Sequence, residues 1–213
     1  MKFYCLLIIL CLPFTLLATE WTTEVRGAGY RLSSKQVKNI YAENWTDYQV
    51  EASQRLCRYF DFWVGVNWAS KRSRLHRDDY YLYSRERTQI FVLPLSAGYK
   101  FIYPLCNCLD FYLGGGICYT FLKIRNGSID STCGPERGES FYKKWIKKDD
   151  VGGVAKLGIR WSMGSDTFLD VFVDYFSQRF RLSRSEALTM CSCRIRHLNC
   201  SGLKYGLGFG VYF

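Results

Sequence analysis

Beyond its first twenty residues, this 213-residue chain contains no run approaching the ~18 consecutive apolar residues that a membrane-spanning helix requires. A polytopic helical membrane protein is therefore excluded. Helical periodicity is weak over the same region, which argues against a helical domain. Histidine is scarce, since the chain has only two, so few groups are available for zinc binding or for acid–base chemistry near neutral pH.

The composition that is present combines 48% apolar residues, 17% aromatic residues, a formal net charge of +10 and ten cysteines. The apolar fraction is ordinary for a globular protein, so a disordered chain is not expected. The aromatic and cysteine contents are both high. A cytosolic protein has little use for so many cysteines outside metal binding or catalysis, which favours an exported protein.

The N-terminus has the layout of a secretory signal peptide. Lys2 supplies a positive start, residues 3–17 are almost entirely apolar, and Ala18 precedes the polar Thr19. We predict a signal peptide over residues 1–18, cleaved near Ala18, and a single domain over residues 19–213. An uncleaved anchor helix is the alternative, for which the apolar stretch is short.

The dominant period past residue 20 is two, which predicts β-strands. At the C-terminus, large apolar residues at odd positions from Leu203 to Phe213 alternate with residues that are mostly glycine. Similar segments predict eight strands, at roughly 22–32, 48–56, 62–70, 89–101, 109–123, 151–162, 167–177 and 203–213. In the first of these, the alternation groups Ala28, Tyr30 and Leu32 on the apolar face. A soluble sheet also shows one apolar face, so alternation alone does not identify the environment.

The connections between these strands alternate in length. Short turns are expected at 57–61, 102–108 and 163–166, and long loops at 33–47, 71–88, 124–150 and 178–202. An even number of antiparallel strands with short turns at one end and long loops at the other is typical of transmembrane barrels. The predicted fold is therefore all-β, an eight-stranded antiparallel up-and-down transmembrane β-barrel with short periplasmic turns and long extracellular loops.

The faces opposite the apolar ones carry charges of both signs, which we expect to pair inside the barrel because a buried charge needs a partner. The predicted lumen network is Glu51, Arg55, Lys100, Asp110, Lys156, Arg160, Asp170, Asp174 and Lys204. Eight strands leave an interior just wide enough for side chains to fill, so the lumen is expected to be plugged. The alternative is that these are the solvated faces of soluble strands. Aromatic residues near strand ends are expected to form interfacial girdles.

The C-terminal segment from Lys204 to Phe213 is similar to the terminal signal of the small eight-stranded outer-membrane barrels of Gram-negative bacteria. The whole chain resembles that family, of the OmpA-transmembrane-domain, OmpX and OmpW type, in architecture. The resemblance implies a location in the outer membrane among its lipids, a structural or adhesive role and no cofactor. We do not predict an enzyme. The resemblance also implies recognition by the barrel-assembly machinery of Tyr205, Leu207, Phe209, Val211 and Phe213. The departure from the family is the number of cysteines.

The predicted topology sorts these cysteines. Disulfide candidates are Cys57, Cys106 and Cys108 on the periplasmic side, and Cys133, Cys191, Cys193 and Cys200 on the outer side. Cys118 is expected to point into the lumen as an inert thiol. Connectivity is not readable from sequence, and the odd number on the periplasmic side suggests disulfide-linked envelope proteins as partners. Zinc is a competing use, although the one-residue Cys spacing is unlike the usual two to four, and no metal site is predicted.

The predicted long loops are basic, which favours an anionic partner such as lipopolysaccharide or a sulfated glycan. Candidate ligand-binding residues are Arg72, Arg74, Arg77, Lys143, Lys144, Lys147, Lys148, Arg194 and Arg196, and Arg179 and Arg181 add charge in the fourth loop. The alternative is an ordinary solvated loop surface. Nucleic acid is not an expected partner of an exported barrel.

Two other functional classes remain open from the sequence. A lipid-modifying enzyme needs a histidine within hydrogen-bond reach of a serine; His76 and His197 have serines nearby in sequence, but no spacing marks a catalytic pair. A soluble, secreted, disulfide-rich all-β protein is suggested by glycosylation-like triplets at Asn44, Asn126 and Asn199. Solubility without detergent favours that class, whereas a heat-modifiable gel shift in detergent favours the barrel.

Overall fold

The computed structural model describes residues 20–76, 85–127, 144–182 and 197–213. Its elements are β1 (Trp21–Leu32), α1 (Lys35–Tyr41), β2 (Asn44–Cys57), β3 (Phe60–His76), β4 (Arg85–Cys106), β5 (Leu109–Gly127), β6 (Lys144–Ser162), β7 (Thr167–Ser177), β8 (Arg179–Arg181), β9 (His197–Asn199) and β10 (Gly202–Tyr212). Eight of these strands, β1 to β7 and β10, form one closed barrel, and β8 pairs with β9 in a separate small hairpin.

The barrel closes where its first and last strands pair. β1 and β10 run antiparallel, from Thr22 opposite Tyr212 to Leu32 opposite Gly202. Every other barrel strand pairs antiparallel with its sequence neighbours, so the topology is up-and-down. Closure removes the free edges that an open sheet presents to other chains. The predicted fold class is confirmed.

The outer surface of the barrel carries a continuous apolar belt. On β5 the outward side chains Leu113, Ile117 and Phe121 are 53%, 61% and 42% exposed. The next outward residues, Lys123 and Arg125, are also exposed but charged. On β5 the apolar outward stretch from Leu113 to Phe121 is nine residues long, which is the length of a tilted transmembrane strand.

Aromatic rings group near both borders of this belt. At the end with the short turns, Phe101 stacks on Tyr59 and meets Phe60 edge-on, with ring centroids 6.2 and 5.4 Å apart. Toward the other end, Tyr48 stacks on Trp68 at 5.7 Å. These positions fit interfacial girdles, because amphipathic rings favour the headgroup level.

Five strands are longer at their outer ends than the alternation predicted. β2 starts at residue 44, β3 continues to 76, β4 starts at 85, β5 continues to 127 and β6 starts at 144, so parts of the expected first, second and third loops are barrel wall. In these extensions the pattern inverts: Ile124 is buried inside while its neighbour Arg125 is exposed outside. The alternation with an apolar outward face ends at the border of the belt, because the outward residues become polar there.

The inside of this outer extension is filled by an apolar core. Helix α1 contributes Val37 and Tyr41, both buried, and Trp45 packs edge-on against Tyr41. The rest of this outer core comprises Tyr30, Leu32, Ala69, Ile90, Val92, Cys118, Leu122, Ile124, Ile146, Phe176, Phe180, Leu182, Leu198 and Cys200. In the part of the chain that the structure describes, no helix is long and apolar enough to cross a membrane.

The face assignment of the first strand was wrong. Ala28, Tyr30 and Leu32 were expected on the apolar outer face, but all three are buried inside the barrel. Tyr30 and Leu32 belong to the outer core, where Tyr30 packs edge-on against Trp45 and Phe176, with centroids 5.9 and 6.2 Å apart. Ala28 lies in a smaller buried cluster with Phe172. In the outer half of β1, an apolar residue therefore does not mark the lipid side.

Candidate functional site: the lumen and the two barrel ends

The middle of the lumen is organised around Arg26, which β1 directs inward. Its guanidinium forms a two-pronged ion pair with Glu24, with Nε 2.7 Å from Oε1 and Nη2 2.9 Å from Oε2. Nη2 also lies 2.8 Å from Oδ2 of Asp170, and it donates a hydrogen bond to the Tyr112 hydroxyl oxygen at 3.1 Å. Phe172 lies beneath the guanidinium, 4.7 Å from its ring centroid. Such a cluster stabilises a buried cation only while its partners are present.

Two lysines surround Glu51 beside this cluster. Lys100 forms an ion pair with Oε1 of Glu51, and the Lys156 Nζ lies 2.8 Å from Oε2. Lys156 also reaches Asp174 at 3.0 Å and lies over the Trp63 ring at 4.5 Å. All of these charged side chains are buried. The carboxylates therefore satisfy several cations at once, as a low-dielectric interior requires.

Nearer the outer core, Lys204 pairs with Asp47 at 3.0 Å. Asn67 donates hydrogen bonds to Asp47 and to Gln49, each at 3.0 Å. The Lys204 ammonium also lies 4.8 Å from the centroid of Phe176, which belongs to the outer core. The polar network and the apolar core thus share one boundary.

At the end with the short turns, Arg160 lies 3.5 Å from Asp61 and 4.8 Å over the Phe168 ring. Asp61 also meets Arg55 at 3.4 Å, and Arg55 pairs with Glu20 at 3.0 Å. The three inward phenylalanines at 168, 172 and 176 each lie against a cation. This explains aromatic residues on a polar inner face, because a ring face attracts a desolvated cation.

The structure places seven of the nine predicted network residues inside the barrel and buried. These are Glu51, Lys100, Lys156, Arg160, Asp170, Asp174 and Lys204. Arg55 and Asp110 lie at the turn end of the barrel and are only partly buried, since Arg55 is near the end of β2 and Asp110 is near the start of β5. Arg55 pairs with buried Asp61, and Asp110 lies opposite buried Arg160.

The sequence pattern did not identify four buried charged residues, which are the carboxylates Glu24, Asp47 and Asp61 and the guanidinium of Arg26. The signal for Glu24 and Arg26 is their two-residue spacing on β1, which the inverted face assignment hid. Asp47 precedes the predicted start of β2 and Asp61 precedes that of β3, so extending each strand by a few residues at constant period would have included both. With them, the described lumen holds five buried cations and six buried carboxylates.

Little space remains between these side chains. A cavity of about 10 Å³ lies among Gln49, Asn67, Lys156 and Asp174, which is room for about one water molecule. Inward glycines make space for large neighbours: a Cβ at Gly116 would lie 2.9 Å from the Trp63 ring and 2.3 Å from the Ala97 carbonyl oxygen. Along the described strands, inward side chains and inward glycines thus fit closely around one another.

The outer end carries a cleft of about 590 Å³ beside the β8–β9 hairpin. Its lining residues are Lys148, Asp149, Asp150, Arg179, Phe180, Arg181 and His197. Arg179, Arg181 and His197 are exposed on the same face of the hairpin, where Arg179 lies opposite Asn199 and Arg181 opposite His197. Buried Phe180 anchors the hairpin to the outer core. The cleft therefore concentrates positive charge with two carboxylates at its side.

Other predicted anionic-ligand residues fall into three groups. Arg72 and Lys147 are exposed, and Lys148 is half-buried, on the outer extensions of β3 and β6. Arg74 and Lys144 belong to the same extensions. Arg77, Lys143, Arg194 and Arg196 lie outside the described residues.

The link between α1 and β2 is tied by charge. Glu43 accepts hydrogen bonds from Lys38 at 2.9 Å and from Arg31 at 2.8 Å. These bonds and the two positive charges lower the pKa of Glu43 below its ordinary value. The contact joins the end of β1, helix α1 and the start of β2, and it holds the first loop at the outer rim.

The cysteines separate into exposed and buried thiols. Cys57, Cys106 and Cys108 are exposed at the turn end, and the Sγ atoms of Cys106 and Cys108 lie 3.5 Å apart. Cys118 and Cys200 are buried in the outer core, and all five are free thiols. Cys200, a disulfide candidate of the predicted fourth outer loop, lies between β9 and β10, which carry it into the apolar core. Cys133, Cys191 and Cys193 lie outside the described residues, as does the predicted signal peptide.

The proposed serine–histidine pairing gains no geometric support where it is described. The Ser201 hydroxyl accepts a hydrogen bond from the Gln178 N–H at 2.9 Å and donates to the Gln178 carbonyl oxygen at 3.3 Å. Ser201 is buried, whereas His197 is exposed. The serine hydroxyl therefore fixes the connection between β7 and β10.

The C-terminal residues named as an assembly signal all belong to the closing strand or follow it. Tyr205, Leu207 and Phe209 face outward in the apolar belt, Val211 is half-buried, and Phe213 is 73% exposed. The backbone of Phe213 exchanges hydrogen bonds with Trp21, with its N–H donating at 2.8 Å. The signal residues thus lie on the seam that closes the barrel.

No protein-family model matches the chain, and no curated protein matches it. Among solved structures it is similar in fold to neisserial surface protein A, with 12% identity and a TM-score of 0.56, covering 91% of this chain and 97% of that one. It is also similar to the outer membrane protein OprG from Pseudomonas aeruginosa, with 12% identity and a TM-score of 0.53 over 92% and 96% of the two chains. A third is Ail, the attachment invasion locus protein of Yersinia pestis, in complex with the heparin analogue sucrose octasulfate. It shows 12% identity and a TM-score of 0.51 over 92% of this chain and all of that one.

Proposed function

We propose that this chain, which has the fold of the small eight-stranded outer-membrane β-barrels, is a plugged structural and adhesive protein of the bacterial envelope. The observation that carries the proposal is the combination of buried ion pairs that link strands across the lumen with a cleft lined by basic residues at the outer rim. Its apolar belt supports insertion into outer-membrane lipid, and the residues 1–18 are proposed to direct export. No enzymatic step is part of the proposal.

The plugged state is supported by the ion pairs that cross the lumen. Arg26, Glu51 and Lys156 link residues from four different strands, and the outer core closes the space above them. A solute passing through the barrel would have to separate several buried ion pairs, which is costly. We expect the folded protein in planar lipid bilayers to show no steady conductance above the bare-bilayer leak; stable open steps of one size would contradict the closed lumen.

The ligand proposed for the outer cleft is a sulfated or phosphorylated glycan, including the anionic part of lipopolysaccharide. Arg179, Arg181 and Lys148 supply the positive charge, and the cleft volume suits a short saccharide. The solved complex of Ail with sucrose octasulfate supports this ligand class by analogy of fold. Asp149 and Asp150 would favour ligands whose anionic groups are spaced rather than crowded.

The test compares Arg181→Gln with Arg58→Gln, since each removes one exposed positive charge and they lie at opposite ends of the barrel. Binding to heparin and to purified lipopolysaccharide is measured on protein folded in detergent or nanodiscs. We expect Arg181→Gln to weaken binding by roughly three- to tenfold at low salt, as loss of one surface charge contact does, and Arg58→Gln to leave it unchanged. If the two changes had equal effects, binding would depend on the net charge of the protein alone, and the cleft would not be the binding site.

Two further partners belong to the same proposal. The barrel-assembly machinery is proposed to recognise the outward residues of β10 and Phe213, which form the closing seam. Deleting Phe213 should reduce the heat-modifiable, folded form in the membrane without lowering synthesis. Disulfide-linked envelope proteins are proposed as neighbours at the turn end, where three thiols are exposed.

A further inference from the structure

The hairpin between β4 and β5 extends beyond its neighbour at the turn end. The β2–β3 turn reaches only as far as Ile102, whose N–H donates to the Tyr59 carbonyl oxygen at 2.8 Å. β4 continues to Cys106, four residues further, or roughly 13 Å along the strand. The tip of this hairpin is therefore accessible to a large partner.

The tip carries two thiols in contact. Cys106 and Cys108 flank Asn107, both are fully exposed, and their Sγ atoms are 3.5 Å apart. On the other side, the Cys108 carbonyl oxygen accepts a hydrogen bond from the Ser162 N–H at 2.9 Å, which fixes the turn against β6. The backbone is held while the two side chains are free to approach each other.

The two thiols are not equivalent. Hydrogen bonds from the backbone N–H and the thiol of Cys108, with a further N–H from Leu109, lower the pKa of Cys106. The same contact raises the pKa of Cys108. Cys106 is therefore the thiol with the larger thiolate fraction, and the thiolate is the form that attacks a disulfide.

We propose that the Cys106-Asn107-Cys108 turn is a thiol–disulfide exchange site for a disulfide-bearing envelope partner, with Cys106 attacking and Cys108 resolving. The Cys106 thiolate attacks one sulfur of the partner's disulfide, forming a mixed disulfide and releasing the other sulfur as a thiolate. Cys108 then loses its proton to solvent and attacks the Cys106 sulfur, releasing the second partner sulfur. The two cysteines are oxidised to one disulfide, and the partner's disulfide is reduced to two thiols.

Cys57 is not the resolving residue in this geometry. It lies at the end of β2, opposite Phe60, on the turn that stops well short of the β4–β5 tip. A disulfide requires Cα atoms within about 7 Å, so a bond from Cys57 to Cys106 would need backbone movement. Cys57 therefore provides a matched control, as an exposed cysteine at the same end of the barrel.

The experiment uses the full reduced chain folded in detergent, with oxidised glutathione as the disulfide probe and intact-mass analysis after acid quenching. Wild type should form an internal disulfide without retaining glutathione at the turn. Cys108→Ser should retain one glutathione on Cys106, and Cys106→Ser should react about tenfold more slowly at neutral pH, as its remaining thiol has the smaller thiolate fraction. Cys57→Ser should behave as wild type at the turn.

Equal rates of modification at Cys106 and Cys108, with wild type retaining glutathione on both, would overturn the proposal. So would protection of both thiols from maleimide by micromolar zinc with no internal disulfide formed, since that result identifies a metal site. The assay does not involve the outer cleft, so its failure and a failure of glycan binding are separate results. Folding of every variant is checked by the heat-modifiable gel shift.

Discussion

Arg26 on β1 and Asp170 on β7 meet in the middle of the lumen, with Nη2 of the guanidinium 2.8 Å from Oδ2 of the carboxylate. Their strands are both neighbours of β10, so the contact spans the strand that closes the barrel. The same guanidinium holds Glu24 and approaches Glu51 at 3.6 Å. Its Nη1 also lies 3.7 Å from Oδ2 of Asp174. Arg26 thus compensates four buried carboxylates beside the strand that closes the barrel.

Arg26→Met should strongly destabilise the folded barrel, because it leaves Glu24 and Asp170 buried without their cation. We expect a loss of about 3–5 kcal/mol in the free energy of unfolding, measured by urea unfolding in detergent. Arg55→Met is the matched control. The Arg55 side chain is 30% exposed and forms its ion pairs at the turn end of the barrel, so a loss of about 0–1 kcal/mol is expected. Similar losses for the two changes would refute a central role for Arg26.

Gly116→Ala should destabilise the barrel while the adjacent Gly115→Ala should not. A Cβ at Gly116 would lie 2.3 Å from the Ala97 carbonyl oxygen and 2.9 Å from Trp63, whereas at Gly115 the nearest atom is 3.9 Å away. Overpacking of this kind costs about 1–3 kcal/mol. Urea midpoints of the two variants provide the comparison, and an unchanged midpoint for Gly116→Ala would show that the lumen yields.

The reaction of Cys106 with iodoacetamide should persist to lower pH than that of Cys108. The pKa of Cys106 is lowered, so its thiolate forms first as pH rises, and the pKa of Cys108 is raised. In Cys108→Ala the thiol donor is lost, and the midpoint for Cys106 alkylation should move to higher pH. Peptide mapping after brief labelling at a series of pH values measures both; a midpoint that does not move would assign the shift to the backbone donors alone.

Cys118 and Cys200 should resist thiol reagents until the barrel unfolds. Both are buried in the outer core, and burial raises the pKa of Cys200 to about 12, so it is protonated at neutral pH. Maleimide labelling of native protein should therefore modify Cys57, Cys106 and Cys108 among these five, and labelling in urea should modify all five. Rapid native labelling of Cys200 would show that the core opens.

Glu43→Gln should loosen the first loop. The pKa of Glu43 is lowered by Lys38 and Arg31, so its contribution is present above its ordinary pKa and is lost as pH falls through the lowered value. Hydrogen exchange of the α1 amides should accelerate in Glu43→Gln at neutral pH. In wild type the same acceleration should appear only in acid. Equal exchange in acid and at neutral pH would contradict a role for the Glu43 contacts with Lys38 and Arg31 in holding the loop.

The barrel and most of its lumen charges were predictable because lipid imposes one rule on every strand: the outward residue is apolar. Lys156 and Asp174 follow from that rule, and both side chains are buried inside the barrel. The rule fails where lipid ends, and this is why the alternation predicts loops over the outer extensions of β3 to β6. It also fails at Tyr30, since an apolar inner core attracts the same residue types as the lipid.

The closeness of Cys106 and Cys108 could be anticipated from their spacing, but the protrusion of their turn depends on the relative lengths of four strands. The cleft beside Arg179 and Arg181 depends on the pairing of β8 with β9, and each of these strands has only three residues, which is too short to show a period. Both features arise from how elements meet in space, and no local pattern encodes them.

The change from apolar to charged outward residues between Phe121 and Arg125 determines how far the outer rim of the barrel stands above the membrane. From Phe121 to the end of β5 six further residues remain, and at the usual strand rise and tilt they lift the rim roughly 15 Å above the apolar belt. The barrel wall thus continues above the apolar belt as paired strands. A bulky polymer can contact the rim at that height without displacing any lipid.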